Sequence, residues 1–184
     1  MKIKIVLMAV FCIILSVAAV SAQDKTTNFA GNWELDTSKS KLSDRVRIES
    51  MTMNIAQTEK DLTVETKTTR AENEMRGNGG NRRRGGGGGG MMGGDATLTY
   101  TLDGKETLAE SSAAIGETKL KAKFEKDGKL KLVQTRTIET QMGGISIKIN
   151  ENWELKDDGK TLIIKRDMET PRGTQSSEMY FTKQ

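Results

Sequence analysis

Phe29-Ala30-Gly31-Asn32-Trp33-Glu34-Leu35 is the stretch from which the fold is read. Phe29, Trp33 and Leu35 share one parity, and Asn32 and Glu34 fall on the other. A period of two marks a strand with one buried face. Everything downstream repeats the signature as a chain of antiparallel strands with tight turns, interrupted by one long glycine-rich segment.

The segment after Leu35, from Asp36 to Asp44, is polar and reads as a loop. Val46 to Gln57 alternates but changes parity at Glu49-Ser50, which predicts a β-bulge. Leu62 to Glu72 follows, rich in threonine, which favours strand over helix. Strand character resumes at Ala96–Leu102 and continues at about 106–112, 117–125, 130–140, 145–155, 161–169 and 175–182. Asp-Gly-Lys occurs three times, at 103–105, 127–129 and 158–160, each between alternating segments. Asp-Gly tolerates the positive φ of a type I′ turn, so three hairpins are predicted there. The fold class is therefore all-β, an antiparallel up-and-down meander of about 8–10 strands. Such a meander closes into a β-barrel, with a β-sandwich as the alternative. The outward faces are rich in Lys and Glu and there are no aromatic girdles, which argues against an outer-membrane barrel.

Upstream, Lys2 and Lys4 precede an apolar run from Ile5 to Val20, and Val20-Ser21-Ala22 ends in small residues. This reads as a signal peptide, residues 1–22, cleaved after Ala22. An uncleaved anchor is the alternative, and Cys12, preceded by Phe11, leaves lipidation as a minor one. Residues 23–184 then form a single domain, expected in a bacterial periplasm or at the outer surface.

Cys12 is the one cysteine, so the segment after the signal peptide carries neither disulfide nor thiolate metal site. The chain has no histidine, which excludes Ser-His-Asp and Cys-His catalysis and any His-ligated metal or haem. No nucleophile motif or assignable acid–base pair appears, and the glycine run lacks the Lys-Ser/Thr of a P-loop. The reading is non-enzymatic and without cofactor, with carboxylate chemistry left open. Thioether binding of Cu(I) through Met51, Met53, Met75, Met91 and Met92 is a weaker alternative to a core role for the first two.

Residues 73–94 hold eleven of the nineteen glycines, with Arg76, Arg82, Arg83 and Arg84 among them. The composition predicts disorder, because so little apolar surface cannot offset the entropy of ordering. The formal charge of +4 belongs largely to this segment and to Lys2 and Lys4, so the remaining chain is about neutral. The four arginines form a candidate contact for an anionic lipid, glycan or other polyanion at the cell surface. The signal peptide argues against nucleic acid. A solvated insertion with no specific partner is the plainer reading.

Phe29-x-Gly31-x-Trp33-x-Leu35 resembles the first-strand signature of the calycins, the lipocalins and fatty-acid-binding proteins. The resemblance implies a lipocalin-like barrel whose base is closed by Trp33, with an arginine from late in the chain packed over it. Arg166 is the candidate, and Arg172, in a turn, the less favoured one. The helix pair that follows strand one in fatty-acid-binding proteins has no room in residues 36–45, and the Thr-Asp-x-x-Tyr-type lipocalin motif is absent. The implied function is binding of a small hydrophobic or amphipathic ligand inside the barrel. Residues on inward parity supply the candidate lining: Trp33, Tyr100, Phe124, Gln134, Arg136, Trp153 and Arg166. A buried arginine must be paired, by a carboxylate of the protein or of the ligand. A barrel filled by its own Leu, Ile and Met side chains is the alternative.

Overall fold

The alternation closes into one ten-stranded antiparallel sheet in the computed structural model, which describes residues 26–42, 48–70, 95–109, 117–140 and 143–184. The strands are β1 (Gly31–Leu35), β2 (Ile48–Gln57), β3 (Asp61–Arg70), β4 (Ala96–Thr101) and β5 (Glu106–Leu108), then β6 (Glu117–Phe124), β7 (Leu130–Thr140), β8 (Gly143–Lys156), β9 (Thr161–Thr170) and β10 (Gly173–Lys183). Their order is β4-β3-β2-β1-β10-β9-β8-β7-β6-β5. First and last strands pair, with Trp33 opposite Lys183 and Leu35 opposite Phe181. The two ends of the sheet, β4 and β5, come together without a ladder, and β4 also packs against β6. The result is a nearly closed up-and-down barrel rather than a sandwich.

The expected bulge lies where Ile48 pairs with Arg70 but Ser50 pairs with Thr69, leaving Glu49 as the extra residue. It moves the inward parity from Ile48 to Met51, Met53 and Ile55. Inward residues of the other strands follow the period-two reading, and the core holds Leu62 and Val64 of β3, Leu130 and Leu132 of β7, and Met179 and Phe181 of β10.

Two of the three Asp-Gly-Lys turns differ from the expected type I′ geometry, and the one at 158–160 has it. Gly128 has φ 80° while Asp127 is not left-handed, and the Gly128 amide donates to Glu125 O at 3.0 Å. That is a type I turn followed by a left-handed glycine, the usual longer hairpin loop. Asp127 Oδ1 accepts the Lys129 amide, which stabilises the turn without placing the aspartate at positive φ. Asp103-Gly104-Lys105 does reverse the chain, but its flanking strands β4 and β5 do not pair, so it is not a hairpin. At 158–160 the expectation holds: the Lys160 amide donates to Asp157 O at 3.1 Å, Asp158 (φ 53°) and Gly159 (φ 82°) take the two positive-φ positions, and the flanking strands β8 and β9 pair. β5 is also shorter than the expected 106–112 and ends at Leu108.

Among the described residues, 36–42 contain no helix. Asp36 nucleates a turn by accepting hydrogen bonds from the Ser38 hydroxyl and from the amides of Ser38 and Lys39. Lys41 then bridges to Glu178 of β10. The Gly/Arg-rich segment 73–94 and the signal-peptide segment 1–22 lie outside the described residues.

The connectivity gives the barrel two unlike ends. Turns 58–60, 102–105, 125–129 and 157–160 share one end with residues 26–30, while β3 and β4 open onto residues 71–94 at the other. The first end is sealed by Phe29, which stacks on Phe124 (6.3 Å between ring centroids) and meets Trp153 edge-on at 5.9 Å. The Trp33 indole donates to Phe29 O at 2.9 Å, and Gln57 clamps the same segment through Phe29 N and Thr27 O. We call this end the base and the other the mouth.

Candidate functional site

The first-strand signature acquires a physical reason at the base. Gly31 has φ 142°, and a Cβ there would lie 2.6 Å from Lys183 Cε. The missing side chain leaves room for Lys183 to fold across β1, which places its ammonium 5.3 Å from the centre of the Trp33 ring. Lys183 thus occupies the place expected for Arg166. Arg166 is engaged elsewhere.

Above this floor, midway up the barrel, the inward residues leave a cavity of about 40 Å³. Met51, Met53, Val64, Leu98 and Ile149 form its apolar wall, with Trp153 also in contact. Tyr100, Gln134, Glu151 and Arg166 form the polar part. The β8–β9 register sets Glu151 opposite Arg166, and both side chains point inward. Arg166 Nε donates to Glu151 Oε1 at 2.6 Å, and Trp153 Nε1 donates to Glu151 Oε2 at 2.7 Å. One carboxylate therefore neutralises the arginine and satisfies the indole, which is what burying this charge requires.

The neutral polar groups are less well served. Gln134 is only 8% exposed and Tyr100 only 4%. Both face the cavity, and among the described residues neither side chain has a hydrogen-bond partner. Thr68, on the same face of β3 as the cavity residue Thr66 and one step nearer the mouth, has a buried hydroxyl with no partner among the described residues. Buried polar groups are normally satisfied, and among the described residues Thr68 Oγ1 is the one buried side-chain polar atom without a partner, whereas the polar atoms of Gln134 and Tyr100 reach the cavity, where an occupant could pair them. The Tyr100 phenol is pushed well above its usual range, first by burial and then by the Glu151 carboxylate, with Arg166 partly opposing. It remains a proton donor across the physiological range.

The residues expected to line the interior separate into two groups. Tyr100, Gln134, Trp153 and Arg166 meet at the cavity. Trp33 and Phe124 belong to the base, packed with Lys183 and Phe29 respectively. Arg136 is buried one inward position nearer the mouth than Gln134 and does not line the cavity; burial pushes its guanidinium below the usual arginine range. Arg76, Arg82, Arg83 and Arg84 lie outside the described residues.

Glu151 was missed by the sequence reading. Its signal was present: it shares inward parity with Ile149 and Trp153, and folding β8 onto β9 about residues 157–160 brings it opposite Arg166. Met51 and Met53 are buried, as their alternation with Ile55 implies, and the cavity opens between them and β4. Among the described residues, no three His, Cys, Asp or Glu side chains cluster to hold a metal ion.

This architecture recurs in a solved structure, that of zebrafish ileal bile acid-binding protein complexed with cholic acid. The fold is a lipocalin-like barrel. The likeness has a TM-score of 0.50 at 17% sequence identity, and it covers 85% of this chain and 98% of the zebrafish one. At that identity it is a likeness of fold. No family model matches the sequence, and no curated protein matches it.

Proposed function

We propose that this chain is an exported, non-enzymatic binding protein that holds a small amphipathic ligand inside its barrel. One observation carries the reading: the cavity joins an apolar wall of Met51, Met53, Val64 and Leu98 to two buried polar side chains, Gln134 and Tyr100, that the described protein does not satisfy. An apolar wall with a few convergent polar groups is the usual character of a small-molecule site. Export rests on the sequence pattern of residues 1–22. The absence of histidine, and of cysteine outside that segment, underlies the non-enzymatic reading.

At about 40 Å³ the cavity has room for one or a few water molecules, so an apolar chain enters only if the wall gives way. Two features make that inexpensive. Met51 and Met53 are unbranched and readily change rotamer. β4, which supplies Ala96, Leu98 and Tyr100, is held by a ladder to β3 along one edge only. An outward shift of β4 enlarges the cavity without breaking any ladder on the β5 side.

The test is titration of the purified protein with the neutral apolar dye Nile red, followed by dye emission and by quenching of Trp33 and Trp153. Saturable one-to-one binding is expected. It should persist when residues 71–94 are deleted and disappear in Leu98→Trp, which fills the space beside Tyr100. Absence of saturable binding, or binding indifferent to Leu98→Trp and lost with the deletion, refutes the interior as the site.

A further inference from the structure

We infer that the barrel interior selects ligands bearing an uncharged hydroxyl or carbonyl group, and discriminates against ionised carboxylates. This deepens the binding reading above and rests on it. The cavity holds one anion and one cation, Glu151 and Arg166, joined at 2.6 Å. Their charges cancel in place, and the second oxygen of the carboxylate is taken by the Trp153 indole. A ligand carboxylate would add a second negative charge beside Glu151 in a poorly solvated space, where two like charges cannot both remain ionised at low cost. To keep its charge it would have to draw Arg166 away, leaving Glu151 with the indole alone. Arg136, the buried cation among the described residues, is not in the cavity wall.

What the wall leaves open is neutral and has both hydrogen-bonding senses. The Gln134 amide offers a donor and an acceptor, and the Tyr100 hydroxyl offers a donor that burial keeps protonated. An alcohol hydroxyl can donate to the Gln134 oxygen and accept from Tyr100. A ketone, ester or amide carbonyl can accept from both. Either supplies hydrogen bonds that no described protein group makes to these cavity-facing side chains, which is where selectivity is gained, because an occupant that displaces water from them without pairing them is penalised. The apolar remainder of the ligand lies against Met51, Met53 and Leu98. The class is thus a long-chain alcohol, a monoacylglycerol or a hydroxylated polycyclic lipid, as opposed to a free fatty acid.

The experiment compares two probes of equal chain length, 1-dodecanol and dodecanoate, as competitors for Nile red at pH 8, where the acid is ionised. Dodecanol is expected to displace the dye at a concentration at least about tenfold lower, the ratio that one or two well-placed neutral hydrogen bonds and an unpaired charge imply. Gln134→Leu should shrink that ratio to about threefold or less by weakening dodecanol alone, with Tyr100→Phe acting in the same direction. Both variants are checked by circular dichroism, and Gln134→Met serves if Gln134→Leu fails to fold. Equal or tighter binding of dodecanoate overturns the inference, as does a ratio unmoved by both substitutions. If Nile red binds saturably and neither competitor displaces it, the ligand class is wrong while the interior site stands. If Nile red itself does not bind, the interior site falls, and the inference with it.

Discussion

Glu151 and Arg166 are the most informative pair to break, because their geometry makes the singles and the double diverge. In Arg166→Met the carboxylate of Glu151, whose side chain is 12% exposed, keeps only the Trp153 indole as a partner. Removing one member of a fully buried pair costs about 3–5 kcal/mol. The remaining exposure lowers that here to about 2–3 kcal/mol. In Glu151→Leu two groups lose their partner. The Trp153 N–H is orphaned at about 1–3 kcal/mol. The Arg166 guanidinium, a quarter exposed, turns partly to water and adds about 1–2 kcal/mol, for a total of about 3 kcal/mol. The double variant Glu151→Leu/Arg166→Met removes both charges and leaves only the indole unpaired, at about 2 kcal/mol. Singles of about 3 and 2.5 kcal/mol against a double of about 2 correspond to a coupling of about 3.5 kcal/mol. Urea unfolding followed by far-ultraviolet circular dichroism reads this directly. With a slope near 2 kcal/mol per molar, each single shifts the midpoint down by about 1–1.5 M, and the double by about 1 M. Additive singles, giving a double of about 5.5 kcal/mol, would falsify the assignment of Glu151 as the partner of Arg166.

Leu162→Ala, at a position with no exposed surface in the core, should cost about 3 kcal/mol and lower Tm by roughly 10 °C in a calorimetric scan; a loss under about 1 kcal/mol contradicts the packing described for β9. Gly128→Ala forces a side chain into a left-handed turn and places a Cβ 2.7 Å from Thr27 Oγ1, so a loss of about 1–2 kcal/mol is expected, and a neutral outcome refutes the turn geometry. The Asp36 carboxyl is held down at about 2, chiefly by hydrogen bonds from Ser38 and Lys39. A carbon-detected NMR titration should show that midpoint, and Ser38→Ala should raise it. Because the folded value is depressed, the stability it supplies is present above the ordinary aspartate range and is lost as pH falls through about 2.

How far the interior could be read before folding depends on how local its causes are. Trp153, Gln134 and Tyr100 were legible as inward because parity along a strand assigns a face without reference to any other strand. Glu151 was passed over because its meaning comes from a partner fifteen residues away and from an indole two residues on. Parity could place it inside, but only strand pairing could say what it met. The cover on Trp33 went to Lys183 rather than Arg166 for a similar reason. It depends on β10 closing against β1, a contact between the two ends of the chain, and on the space left by Gly31.

From sequence alone came the all-β class, the positions of nearly every strand, the bulge at Glu49 and the inward faces, since these follow from period-two alternation and from turn residues acting over a few positions. The tertiary structure decided the rest. It left β4 and β5 unpaired despite an Asp-Gly turn between them, matched Arg166 to Glu151, and reduced the interior to a cavity of about 40 Å³ with Gln134 and Tyr100 facing it. These outcomes depend on ladder register and on how side chains from different strands fill a shared volume. Both are long-range properties, set only when the sheet curls and its edges meet.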